Sequence, residues 1–126
     1  MLPALEARLD SFASMFKPDE GWDVCDHAIT NVKSLLRGLP AEYLSHLSPE
    51  RVLPQQEGVI ALHWDKSPDE YVMVEISAME VGVAMNVNGV WCQTPNRFMF
   101  IAQKVIVAVR QFLDLLYHPP LPTFKA

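Results

Sequence analysis

The residues of this chain that could do chemistry are few, and their spacing assembles no familiar site. Cys25 and His27 have the residue types of a nucleophile and a base. On a helix, side chains two positions apart point about 200° away from each other, so these two cannot form a dyad. The four histidines and five glycines show no HxH, HExxH, GxGxxG or P-loop spacing. The sequence therefore predicts no catalytic residue, no metal and no cofactor, and favours a non-enzymatic protein with Cys25 as a buried thiol.

One weak candidate for a polar site remains, formed by His63 and Glu75. Both fall on the same face of neighbouring predicted strands, where a tight hairpin would place them diagonally across from each other. A metal site at this position would need a third ligand. A cross-strand polar contact is therefore the simpler interpretation of the pair.

These two residues belong to a stretch, Gly58 to Gln93, that predicts an antiparallel β-meander. Apolar and polar residues alternate along it, as in Ile60, Leu62 and Trp64, and this period of two is typical of half-buried strands. Asn88-Gly89 is typical of a two-residue type I′ turn, which pairs Val87 with Val90 and Met85 with Cys92. We predict four strands in sequential order, at about 59–65, 70–77, 80–87 and 90–93. Cys92 falls on the apolar face, so we expect a second buried thiol.

Helical patterns flank the predicted sheet. Leucines and phenylalanines at steps of three and four predict an amphipathic helix over 3–16. A second helix is capped by Asp23 and ends at Gly38, and a short one covers about 41–47. Thr94 followed by Pro95 predicts the start of a long C-terminal helix. The chain is thus predicted to be a single α+β domain over 1–126, with N-terminal helices, a four-stranded antiparallel meander and a C-terminal helix packed on the sheet in two layers.

Composition narrows the functional classes. The chain has 126 residues, with 50% hydrophobic and 20% charged residues and a net charge of −5. Residues 1–80 carry 14 acidic and 6 basic side chains, which argues against a nucleic-acid-binding protein. The most apolar window, 98–116, is interrupted by Gln103, Lys104, Arg110 and Asp114 and is a poor membrane span. The first ten residues do not resemble a signal peptide. We therefore expect a cytoplasmic protein without a nucleic-acid or membrane partner.

A set of short motifs resembles a known pattern. Gly21-Trp22-Asp23, then Leu35-Leu36 and Leu39-Pro40, then Pro54 and a Gly58-led strand that finishes in Trp64 follow one another in the chain. Together they resemble a loose family of small bacterial proteins with a WDG motif, a helix ending in leucines and proline, and a Gly-led strand ending in Trp. The resemblance covers about residues 21–76 and departs at Val24 and His63. It implies a bacterial origin and a fold, and supplies no mechanism.

Two sets of apolar residues fall on predicted surfaces. Phe100 and Val107 lie in the polar arc of the predicted C-terminal helix, close to Arg110. Tyr71, Met73 and Trp91 lie on the polar face of the sheet. Because two exposed apolar sets are unusual on a small acidic protein, we predict that they form an interaction surface. The favoured function is a non-enzymatic protein-interaction module. We expect its partner to be a second copy of the chain, as a homodimer, with another protein as the alternative partner. The alternatives are a small-ligand-binding protein or enzyme with a pocket between sheet and helices, and an accessory or antidote protein that neutralises a partner.

Overall fold

The structure is a computed structural model that describes residues 1–15, 26–87, 89–94 and 96–119. The predicted Asp23 cap and the predicted buried thiol of Cys25 lie outside these ranges. The described α-helices are α1 (Leu2–Ser11), α2 (Asp26–Gly38), α3 (Ala41–Ser45) and α4 (Ala102–Tyr117). The described strands are β1 (Val52–Pro54), β2 (Ile60–Ser67), β3 (Glu70–Ile76), β4 (Glu80–Val87), β5 (Val90–Gln93) and β6 (Phe98–Met99). Short 3-10 turns occur at Phe12–Met15, Pro49–Arg51 and Gln56–Gly58.

The sheet is an antiparallel meander in the order β1-β2-β3-β4-β5, as the alternation in the sequence predicts. The predicted hairpin register is confirmed, because Val87 pairs with Val90 and Met85 pairs with Cys92. Gly89 has a φ of +75°, as the second position of a type I′ turn requires. The prediction of four strands is too low. Strand β1 extends one edge of the sheet, and β6 pairs with the beginning of β4 on the same side as β5.

The core lies between one face of the sheet and the helices. Helix α1 packs against β1, α2 against β2 and β3, and α4 against β3 and β4. Trp64 is fully buried there, and its indole N–H donates a hydrogen bond to the Tyr43 carbonyl at 2.9 Å. The α+β architecture with a C-terminal helix on the sheet is therefore confirmed, and so is the prediction that Trp64 belongs to the core.

The C-terminal helix begins later than predicted. Helix α4 starts at Ala102, so the interpretation of Thr94 as its N-cap is wrong. Thr94 instead extends the sheet, because its N–H donates to the Val83 carbonyl at 2.9 Å and its hydroxyl accepts from the Val83 N–H at 3.2 Å. Further along the chain, Phe98 of β6 pairs with Val81 of β4. The first predicted helix is also shorter, because α1 ends at Ser11 and a 3-10 turn follows.

The thiol of Cys92 is exposed, which contradicts its predicted burial. Its pairing with Met85 puts the side chain on the helix side of the sheet, as predicted. Helix α4, however, packs on β3 and β4 and does not extend over β5. The alternation therefore gave the correct face of the strand, but the helix layer needed to bury Cys92 is absent from the described part of the chain.

Replacing Trp64 tests the helix–sheet core. Trp64→Ala removes a fully buried ring and leaves a cavity, so we expect the free energy of unfolding to fall by about 3–5 kcal/mol. Trp64→Phe keeps most of the buried ring but leaves the Tyr43 carbonyl without its donor, so we expect a smaller loss of about 1–3 kcal/mol. Urea denaturation of the two variants and the parent chain measures both losses. An unchanged midpoint for Trp64→Ala would rule out this packing.

Candidate functional site

The face of the sheet opposite the helices, which we call the outer face, brings together most of the predicted surface residues. Strand pairing arranges its side chains in three rows that cross the strands. These rows are Asp65–Tyr71–Asn86–Trp91, His63–Met73–Ala84–Gln93 and Ala61–Glu75–Gly82. Tyr71, Met73, Trp91, His63 and Glu75 therefore share one surface, and no described helix packs on it.

A depression of about 310 Å³ lies on the outer face, where small residues meet larger ones. Gly82 and Ala84 form its floor, Met73 and Trp91 contribute apolar walls, and one end is polar. The residues around the polar end are Glu75, Gln93, Thr94 and Arg97. Sequence reasoning missed Thr94 and Arg97 because it assigned both to the C-terminal helix. The sequence Thr94-Pro95 is typical of a helix start, but the residues that follow form the short edge strand β6, in which Phe98 pairs with β4.

Arg97 lies along the outer face with 42% of its side chain exposed. Its Cγ lies 3.6 Å from the position that a Cβ on Gly82 would occupy, so its aliphatic part rests on the glycine. Its Nη2 lies 3.6 Å from Oε2 of Glu75. This distance allows an electrostatic attraction but is too long for a good hydrogen bond. The guanidinium and the carboxylate therefore keep hydrogen-bonding capacity for another molecule.

An aromatic pair borders the depression on its other side. The rings of Tyr71 and Trp91 have centroids 6.3 Å apart and are tilted by 59°. Asn86 lies between them in the same row. Its side-chain oxygen is buried and accepts no hydrogen bond from any described residue. Trp91 keeps 53% of its surface exposed, so the pair remains open to a partner.

His63 and Glu75 lie in adjacent rows, which is the diagonal placement that the sequence predicts. Burial lowers the pKa of His63 below its ordinary value of 6.5, the guanidinium of Arg51 lowers it further, and the carboxylates of Asp65 and Glu75 oppose the shift. Arg51 itself pairs with Asp65 at 2.6 Å. No group of three or more metal-ligating side chains occurs in the ranges that the structure describes. The imidazole of His63 is therefore neutral at neutral pH, and Glu75 influences it through its charge.

The edge strand β5 is the second part of the candidate site. All four of its residues are exposed, with Val90 at 64%. Because the Thr94 N–H bonds to Val83, the alternation of the antiparallel ladder makes Val90 and Cys92 bond to β4. The N–H and C=O groups of Trp91 and Gln93 must then point away from the sheet. No other described strand pairs with this side of β5.

The opposite edge of the sheet, strand β1, is protected. Its residues Val52 and Pro54 point their backbone away from β2, because the Gln55 N–H bonds inward to the Val59 carbonyl at 2.8 Å. Pro54 has no N–H to offer. The Val52 carbonyl accepts a hydrogen bond from Nε of Arg8 on α1 at 3.2 Å. The two edges thus differ, because β5 presents two outward-pointing residues, whereas β1 has a proline and a capped carbonyl at its outward-pointing positions.

Of the two apolar residues predicted to share a surface on the C-terminal helix, only Val107 lies on it. Val107 is 55% exposed on α4, and it borders a shallow surface with Lys104 and Ala108. Phe100 precedes the helix, is half-buried and packs against the core. The prediction that Phe100 and Val107 share one exposed helix face is therefore wrong, because the helix starts at Ala102. Arg110 is exposed on α4 and lies close enough to Tyr43 to oppose the rise in its pKa.

A cluster of aromatic and titratable side chains joins α3 to the end of α4, and sequence reasoning missed it. The Tyr43 hydroxyl donates to Asp114, Glu42 contacts His118, and the His46 ring stacks on Tyr117 with centroids 4.2 Å apart. Burial, followed by the charge of Asp65, raises the pKa of Tyr117 to about 12. The spacings of Glu42 to His46 and Asp114 to His118 were the available signal. Because the cluster packs two helices together, we interpret it as structural.

Comparison with protein-family models, with curated proteins and with solved structures finds no match to this chain. None of the described helices has the length and apolar character needed to cross a membrane. The function must therefore be argued from the outer face and the β5 edge themselves.

The electrostatic environment of His63 can be tested with two opposite substitutions. Arg51→Gln removes a neighbouring positive charge and should raise the pKa of His63, whereas Glu75→Gln removes a negative charge and should lower it. An NMR titration of the His63 ring protons measures both shifts. Because the pKa in the folded protein lies below 6.5, stability from the neutral ring is complete above pH 6.5 and is lost as the pH falls through the folded pKa. Shifts of the same sign in both variants would contradict this environment.

Proposed function

We propose that this protein is a non-enzymatic protein-interaction module that binds a second copy of itself through strand β5. The observation that supports this proposal is the unprotected edge of β5. Strand edges in natural proteins are usually shielded by charges, prolines, bulges or a covering element. The sequence of β5, Val-Trp-Cys-Gln, has no charge and no proline, and all of its side chains are exposed.

Two-fold symmetry restricts how two such edges can pair. A two-fold axis perpendicular to the sheet keeps the helices of both copies on the same side and makes the paired strands antiparallel. If the axis passes through Cys92, Trp91 of each copy lies opposite Gln93 of the other. These are the residues whose backbone points outward, so each pair exchanges two hydrogen bonds. An axis through Trp91 or Gln93 would place one of these two residues opposite a residue outside β5. We therefore favour the pairing centred on Cys92.

The side chains of β5 suit this pairing. Val90 and Cys92 lie on the helix side of the sheet, whereas Trp91 and Gln93 lie on the outer face. Association would reduce the exposure of the apolar Val90 and Trp91, and it brings no like charges together, because β5 carries none. Each copy has a net charge of −5, but most of the acidic residues fall within 1–80. Repulsion between charges that lie farther apart than about 8 Å is largely screened at physiological salt.

A proline at position 93 tests the proposal without breaking the contact between β5 and β4. Gln93→Pro removes an outward N–H, while the inward bonds of Cys92 and Thr94 remain. Sedimentation velocity at micromolar concentration should show a dimer for the parent chain, a folded monomer for Gln93→Pro and a dimer for the matched control Gln93→Ala. A monomeric parent chain, or a dimeric Gln93→Pro variant with an unchanged sedimentation coefficient, would refute this interface.

The thiol of Cys92 reports the register of the same interface. In the proposed pairing the two Cys92 residues face each other at a non-hydrogen-bonded position, with their Cα atoms about 4.5 Å apart, which lies within the range of a disulfide. Mild oxidation of a Cys25→Ser chain should therefore give a cross-linked dimer in high yield. The yield should fall sharply when Gln93→Pro is added. Failure of a dimeric Cys25→Ser chain to cross-link would exclude the register centred on Cys92.

A further inference from the structure

The depression on the outer face points to a binding activity that is separate from strand pairing. We propose that it binds a small zwitterion, namely an α-amino acid with an apolar side chain. The site is built within one copy of the chain, on the floor formed by Gly82 and Ala84. The depression needs no second copy, although Trp91 and Gln93 belong both to it and to the proposed β5 interface, so binding and sedimentation are measured separately.

The charges at the polar end select a ligand that carries both signs. Arg97 and Glu75 keep 42% and 27% of their side chains exposed, and the atoms nearest to each other are 3.6 Å apart. A ligand with only a carboxylate would approach Glu75 as well as Arg97, and a ligand with only an ammonium group would meet the opposite problem. The α-carboxylate and α-ammonium of an amino acid lie on one carbon, so one molecule can satisfy Arg97 and Glu75 together.

The remainder of the depression suits an apolar side chain. Met73 and Trp91 stand on either side of the small residues of β4, and the volume of about 310 Å³ is at the lower end of small-molecule sites. Methionine adapts its shape to different neighbours, and an exposed indole offers a large apolar surface. With the charged groups of the ligand held at Arg97 and Glu75, its side chain would extend over Ala84 towards Trp91.

Gly82 is the residue that keeps this floor open. A glycine within a strand weakens the strand and often marks a position where another group approaches closely. Here that group is Arg97, whose Cγ would lie 3.6 Å from an added Cβ, which is an ordinary contact. Gly82→Ala is therefore tolerated without displacing Arg97. Gly82→Val adds an isopropyl group, whose two methyl groups intrude on the depression, while the β-branched side chain suits a strand.

The experiment is an NMR titration of the labelled full-length protein with three matched ligands. L-leucine carries both charges, 4-methylpentanoate lacks the ammonium group, and L-leucine amide lacks the carboxylate. We expect L-leucine to shift the signals of the Gly82 amide and the Trp91 indole, and to bind about tenfold or more tightly than either single-charge ligand. Equal binding of the three ligands, or no shift at either position with L-leucine, would overturn the proposal.

Variants of the same protein assign the charges. Arg97→Gln should weaken L-leucine binding by about tenfold or more and abolish the preference for L-leucine over its amide. Glu75→Gln should abolish the preference over 4-methylpentanoate. Lys104→Gln is the matched control, because it removes a positive charge from α4 outside the depression, and it should leave binding unchanged. Equal effects of Arg97→Gln and Lys104→Gln would show a general charge effect and overturn the site. Sedimentation of each variant records the dimer separately.

Discussion

The burial of one face of the sheet beneath the helices is the constraint on which the rest of this structure depends. Side chains alternate along each strand, so every strand that places Ile60, Val74 or Val83 in the core must place a neighbour on the outer face. Helices α1, α2 and α4 extend over β1 to β4, and none of them packs over β5. Both parts of the candidate site follow from this arrangement, since the outer face and the β5 edge are the surfaces that the described helices leave uncovered.

The two edges of the sheet show how local sequence decides where a partner can bind. At β1 the chain has Pro54 and a carbonyl capped by Arg8, so the edge offers little to another strand. At β5 the chain has four uncharged residues followed by Thr94, which keeps its own backbone paired with Val83. Within β5 the outward-pointing backbone groups are those of Trp91 and Gln93. This short and well-defined edge favours a specific pair of strands over open-ended association.

The alternation and the turn residues were sufficient to predict the meander, its hairpin register and the core position of Trp64, because these depend on local patterns. Thr94-Pro95 was misleading, since a sequence typical of a helix start precedes the edge strand β6 here. The burial of Cys92 was wrong because a strand pattern reports the face and not the extent of the helix layer above it. The outer-face residues of the predicted strands were assigned correctly to one surface, whereas the position of Arg97 over Gly82 depends on tertiary structure and could not be predicted.

The most direct measurement of the central claim is amide hydrogen exchange of β5 as a function of protein concentration. In the proposed dimer the Trp91 and Gln93 amides bond to the second copy, whereas the Cys92 amide bonds within the sheet to β4. Exchange at Trp91 and Gln93 should therefore be fast in dilute protein and slow as the concentration rises, while exchange at Cys92 stays slow throughout. Exchange at Trp91 and Gln93 that remains fast at every concentration would contradict the claim that β5 is the interface.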